Sequence, residues 1–143
     1  MNMLGKVIMV TGAARGIGQR SAMELASRGA TVFATDLNAE GAHHTALEIE
    51  RNGGEAFGRG HDVTSEQDWI DAVAFIKSRA GRLDALVNNA GVMVTKPFKQ
   101  TSFEEFRRQQ AVNVDSVWLG CQAAHDLLVA TASKEGAASI VNL

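Results

Sequence analysis

Short apolar, β-branched runs alternate along this chain with segments of helical spacing, and that alternation restricts the fold more than any other feature. Lys6 to Thr11 (KVIMVT) lacks polar alternation, so it reads as a strand buried on both faces. Ala22, Leu25, Ala26 and Gly29 follow at helical spacing, with Gly29 placed to end the helix in a left-handed cap. Ala30 to Asp36 (ATVFATD) is a second strand. A second helix carries Ala39, Ala42, Ala46 and Ile49 on one face and stops at Asn52-Gly53-Gly54. Glu55 to Val63 reads as a third strand. Ser65 then caps a third helix whose buried face is Trp69, Val73, Ile76 and Ala80, with Gly81 at its exit. Leu83 to Asn88 is the fourth strand. Thr101 or Ser102 opens a long helix with an apolar stripe of Val114, Val117, Cys121, Ala124 and Leu128, and Phe103 and Phe106 are assigned to the core. Ala138 to Leu143 (ASIVNL) is the fifth strand.

Right-handed crossovers between parallel strands leave few topologies for this string, and the commonest is the Rossmann-type doubly wound α/β sheet with strand order 3-2-1-4-5. The sheet is expected to be incomplete on its C-terminal side, leaving strand five as an apolar edge. With 45% hydrophobic and 21% charged residues and no linker-like stretch, residues 1–143 are expected to form one domain. A chain of about 150 residues buries roughly 68–70% of its unfolded surface, enough to fold without disulfides or metals. The single cysteine, Cys121, cannot make an internal bridge and fits a reducing cytoplasm. A net charge of −2 gives no general attraction to nucleic acid or anionic membrane. No signal-like N-terminus and no apolar run of ~20 residues is present, so a cytoplasmic, soluble protein is expected. His43, His44, His61 and His125 have no partners at metal-ligand spacing, and no metal site is expected.

The turn from Thr11 to Gly18 (TGAARGIG) joins the first strand to the first helix. Glycines at 12, 16 and 18 allow a tight turn, close approach of an anion to backbone amides, and close helix packing. The free N–H groups and positive end of the helix then face phosphates. Gly12, Ala14, Arg15, Gly16, Ile17 and Gly18 are accordingly cofactor candidates, the alternative being an ordinary glycine-rich turn. The missing Gly-Lys-Ser/Thr ending argues against a P-loop. Asp36 lies 18 residues after Gly18, beside Leu37, where a carboxylate can accept hydrogen bonds from the adenosine ribose of NAD. A 2′-phosphate ~4 Å away would be repelled by about 1–4 kcal/mol, so NAD is favoured over NADP. Arg15 could still reach such a phosphate, and Asp36 could instead be a capping or turn aspartate.

Asp62-Val63 follows the third strand, Asn88-Asn89-Ala90-Gly91 follows the fourth, and Asn113 lies in the long helix. With the spacing of TGAARGIG, these motifs make the chain resemble the short-chain dehydrogenase/reductase family along its whole length. The resemblance implies adenine contacts at Asp62 and Val63, nicotinamide ribose contacts at Asn89, Ala90 and Gly91, and a structural and catalytic role for Asn113. The residues by themselves leave alternatives: Asp62 as a cap before helix three, Asn88 to Gly91 as a plain turn, Asn113 as a satisfied core amide.

The family's chemistry uses a Tyr-x-x-x-Lys pair and a serine, but this chain contains no tyrosine. Of the tetrad only Asn113 is represented. The resemblance therefore implies a truncated, N-terminal portion of a longer, homo-oligomeric oxidoreductase that transfers hydride between NAD and an alcohol or ketone. Without its general acid/base, a term worth about 10²–10⁴-fold, the chain as given is not expected to turn over. The alternative is a non-catalytic dinucleotide-binding or regulatory module. The substrate is not legible, although the loop from Val92 to Gln100 is expected to border its pocket.

Overall fold

The computed structural model describes residues 2–143. Five parallel strands, β1 (Val7–Thr11), β2 (Thr31–Asp36), β3 (Glu55–Gly60), β4 (Ala85–Asn88) and β5 (Ser139–Asn142), lie in the order β3-β2-β1-β4-β5. This is the doubly wound order expected from the alternation of runs. Five α-helices connect them: α1 (Gly16–Ser27), α2 (Ala39–Arg51), α3 (Glu66–Ala80), α4 (Phe103–Gln110) and α5 (Ser116–Glu135). No helix among the described residues is long and apolar enough to cross a membrane.

All five residues of β1 are buried, because helices cover both faces of the sheet. Ile8 and Val10 point toward α1 and α2 and pack with Ala22, Ala26, Val32, Ala46 and Ile49. Val7 and Met9 point the other way, into a core of Phe33, Trp69, Ile76, Leu86, Ala124 and Leu128. Each large side chain buried in these layers contributes about 1.5–3 kcal/mol relative to exposure. The helix ends follow local chemistry. Asn38 and Ser65 accept hydrogen bonds from the amides of Gly41 and Asp68, and Ser102 and Glu105 form a reciprocal capping box. Gly81 closes α3 with φ +68°, a conformation that disfavours any residue with a Cβ.

The segment from Ser102 onward departs from expectation. The single long helix is two helices joined by a π-helical turn, Ala111–Asp115. A π turn inserts one residue into the repeat and rotates everything before it by about 100°. Val114 is consequently 54% exposed and leaves the apolar stripe, which in α5 runs through Ser116, Gly120, Ala124, Leu127 and Leu128. Phe103 and Phe106 are not core residues: they are 75% and 46% exposed and stack on one another with centroids 6.0 Å apart. Among the described residues no element covers their face of α4. β3 ends three residues earlier than expected, at Gly60, because the chain turns away after His61 and Asp62 and Val63 meet the start of α3. The residues of β5 are exposed, as expected of a sheet edge.

The edge of the sheet where the strands begin is held by Asp84, which is 6% exposed. Its Oδ1 accepts from Lys6 Nζ (3.0 Å) and Arg82 (2.6 Å), and its Oδ2 from the Val7 amide (3.0 Å) and Arg82 Nε (2.8 Å). Burial works against the charge, but these hydrogen bonds outweigh it and hold the carboxyl below the usual carboxylate range. Asp84→Asn is expected to lower stability by about 1–3 kcal/mol in urea denaturation at neutral pH. Because the folded-state pKa is depressed, the stabilisation is complete above the unfolded value of about 3.9 and is lost as the pH falls through the folded value. Wild-type stability should therefore fall more steeply below about pH 4 than that of the variant; parallel curves would exclude this role.

Candidate functional site

The glycine turn leaves β1 at its buried end and enters α1 at Gly16. Gly12 and Gly16 have φ of +65° and +61°, and a Cβ on Gly18 would lie 2.2 Å from Gly12 O. A Cβ on Gly16, by contrast, would meet nothing within 4 Å, so this side of the turn is open. Arg15, the N-cap, makes no side-chain capping bond, and the first amides of α1 are left without a side-chain acceptor. That is the donor set an anion requires.

Asn89 fastens this turn from the neighbouring strand. Its Nδ2 donates to Thr11 O (2.8 Å) and Gly12 O (3.1 Å). Thr11 Oγ1 in return accepts from the amides of Asn89 (3.1 Å) and Ala90 (3.0 Å). Asn88 is buried and donates to Asn142 Oδ1 (2.9 Å), tying β4 to β5. The two asparagines thus bind the strand end to its neighbours, more than a plain turn would need.

Asp36 ends β2 on the other side of the turn. One carboxylate oxygen accepts from the Ala14 amide (3.0 Å) and the other from the Asn38 amide (2.9 Å), so its orientation is fixed while further lone pairs remain. Leu37 beside it is 70% exposed. The 61–64 turn lies beyond β3. Asp62 donates its amide to Asp68 Oδ2 (2.8 Å), and its Oδ1 accepts from the Thr64 amide (2.9 Å) and hydroxyl (2.7 Å). The Asp62 amide, together with Ser65, holds the Asp68 carboxyl low despite some burial. Val63 is buried, and its carbonyl accepts from Trp69 Nε1 (2.8 Å).

Asn113 sits in the π turn. Its Oδ1 accepts from the Val92 amide (2.9 Å) and its Nδ2 donates to the Val92 carbonyl (2.8 Å), pinning the loop after β4 to the helix. Val94 is pinned similarly, through its amide to Gln109 Oε1 (2.8 Å).

These pieces surround a groove of about 670 Å³ at the edge where the strands end, beside the point where the strand order reverses. It is lined by Gly12, Arg15, Gly16, Ile17, Gly18, Asp36, Leu37, Asp62, Val63, Asn89, Ala90 and Gly91. Its volume and position are those of a dinucleotide or ligand cleft in an open α/β sheet. Ala14 and Asn113 do not line it and act on it through Asp36 and Val92. Another cleft, about 810 Å³, opens between the last turns of α1 and α2 at the opposite edge of the sheet, and none of these residues is near it.

His61, Thr64, Val92, Arg108 and Val112 also line the groove, and they are not among the residues assigned from sequence. Arg108 and Val112 are four residues apart and so share one helix face, turned toward the groove. His61 is buried, and burial, against the opposing pull of Asp68, brings its pKa down to about 4. No cluster of three or more His, Cys, Asp or Glu side chains suited to a metal occurs among the described residues. Asn89→Ala is expected to lower stability by about 1–3 kcal/mol, because two carbonyls at the turn lose their donor. Urea denaturation measures it, and a loss within about 0.5 kcal/mol, the range of an ordinary surface change, would mean the turn is held by something else.

The comparisons agree with this geometry. The family model described as short chain dehydrogenase matches residues 6–143. Cyclopentanol dehydrogenase of Comamonas sp. (strain NCIMB 9872) is 48% identical over 118 residues, 82% of this chain and 47% of that protein. The 7alpha-hydroxysteroid dehydrogenase of Escherichia coli (strain K12) is 43% identical over 112 residues, 78% of this chain and 44% of that protein. A solved 7alpha-hydroxysteroid dehydrogenase complexed with NADH and 7-oxo glycochenodeoxycholic acid superposes with a TM-score of 0.90 at 37% identity, over 99% of this chain and 54% of that one. The chain spans about half the length of the curated relatives it matches. With the family model matched over residues 6–143 and relatives this similar in sequence and fold, the chain belongs to the short-chain dehydrogenase family.

Proposed function

We propose that these residues form the NAD-binding part of an oxidoreductase that transfers hydride between NAD and an alcohol or ketone. The observation that carries the proposal is a single groove onto which both the uncapped start of α1 and the Asp36 carboxylate open. Gly12, Arg15, Gly16, Ile17 and Gly18 would border the pyrophosphate at the first amides of α1, with Ala14 holding the Asp36 carboxylate beside them. Asp36 would accept from the adenosine ribose hydroxyls, with Leu37 covering the sugar, and Asp62 and Val63 would meet the adenine. Asn89, Ala90 and Gly91 would border the nicotinamide ribose. The dinucleotide, when bound, supplies the hydride donor or acceptor.

Both amide atoms of Asn113 bind Val92, so its side chain holds the loop after β4 against the π turn, and a part in moving a proton would fall to its main chain. No tyrosine occurs among the 143 residues, and we assign proton transfer at the substrate oxygen to groups outside them. The names of the two relatives above suggest a secondary alcohol on a carbon ring as substrate class. Exposed Met93 and Phe98 in the loop after β4 suit such an apolar skeleton. We further propose that the whole protein is cytoplasmic and homo-oligomeric, in keeping with its lone cysteine here and with the exposed Phe103, Phe106 and Trp118.

Calorimetry on the purified chain is expected to show NAD binding, and NADP binding weaker by about fivefold to several-hundredfold, from the Asp36 charge. Asp36→Ala should abolish that preference. Absence of NAD binding to the folded chain would remove the proposal. No NADH should accumulate with cyclopentanol, since a general acid/base term of about 10²–10⁴-fold is missing.

A further inference from the structure

His61 follows β3 where the chain leaves the sheet, and it contacts the groove wall on both sides of the proposed adenosine site. Its amide donates to the Asp36 carbonyl (2.8 Å). Its Nδ1 lies 3.1 Å from Thr35 Oγ1, and its ring meets Trp69 nearly at right angles with centroids 4.4 Å apart. Trp69 in turn holds the Val63 carbonyl, and Asp68 holds the Asp62 amide. One buried ring, 2% exposed, therefore stands between the residues that carry the Asp36 and Asp62 carboxylates.

Filling space does not account for a histidine here. Its Nε2 is buried without a hydrogen-bond partner among the described residues, which costs stability that a phenylalanine against Trp69 would not. What phenylalanine lacks is the bond to Thr35. The ring is neutral across the physiological range, so it meets the Thr35 hydroxyl as one donor or one acceptor without bringing a charge beneath the groove.

We infer that His61 is a positioning residue for the adenosine half of the cofactor. Through Thr35 it fixes the spacing of Asp36 and Asp62, and thereby sets how strongly the site prefers adenine to a purine without the exocyclic amino group. This rests on the NAD proposal, with Asp62 accepting from that amino group.

Calorimetry on the whole 143-residue chain with NAD and with nicotinamide hypoxanthine dinucleotide, whose base carries a carbonyl in place of the amino group, tests it. Wild type is expected to prefer NAD by about tenfold or more, the worth of a hydrogen bond to a charged group. His61→Phe should reduce the preference to about twofold or less, through weaker NAD binding and not stronger binding of the analogue. His61→Asn, which can place an amide near the position of Nδ1, should keep most of it. Thr35→Val removes only the hydroxyl and should reproduce the phenylalanine result; it decides the matter if His61→Phe is unfolded by circular dichroism. Variants that keep the wild-type ratio, or that lose both ligands equally, overturn the inference and leave NAD binding standing. A wild type that binds both ligands equally overturns it too, and one that binds neither removes the NAD proposal with it.

Discussion

At the end of β1, where the chain turns toward α1, the Asn89 side chain donates to the carbonyls of both Thr11 and Gly12. Buried main-chain acceptors left unpaired are costly, so the end of the central strand depends on this one amide. The same contact explains the glycines. A Cβ at position 12 would lie 2.9 Å from Asn89 Nδ2, and one at position 18 would lie 2.4 Å from it. The amide that completes the strand end thus sets how closely α1 approaches the sheet and where its free amides point.

The sheet is held at both edges by polar contacts and in the middle by apolar ones. Asp84 joins β1 to β4 where the strands start, and Asn89 joins the same pair where they finish. Between them the two faces of β1 are sealed by separate cores. A scaffold fixed in this way can keep a groove open at its C-terminal edge without side chains filling it. The glycine turn and Asp36 belong to that rigid body, because the Ala14 amide is bound to the Asp36 carboxylate.

The wall formed by α4 and the π turn is built differently. It contributes no fully buried residue, and it is attached to the loop after β4 through Asn113 and Gln109. Amide-to-backbone contacts fix this loop in direction while its apolar residues, Met93 and Phe98, remain exposed. The half of the groove at the glycine turn and Asp36 is therefore set by the sheet, and the half next to Val92 is set by side-chain hydrogen bonds to a helix.

The sequence by itself determined the strand order, the helix caps at Ser65 and Gly81, and twelve of the residues lining the groove. Each depends on a local pattern: apolar runs, cap residues, and glycines at fixed offsets from a strand. Only the tertiary structure decided the exposure of Phe103, Phe106 and Val114, since one extra residue in the π turn changes the phase of the repeat without leaving a mark in composition. Only the tertiary structure, too, brought Arg108 and Val112 to the groove and set His61 beneath it against Thr35 and Trp69. A lone histidine carries no spacing signal. Its surroundings come from a strand 26 residues earlier and a helix after it, and long-range packing alone brings them together.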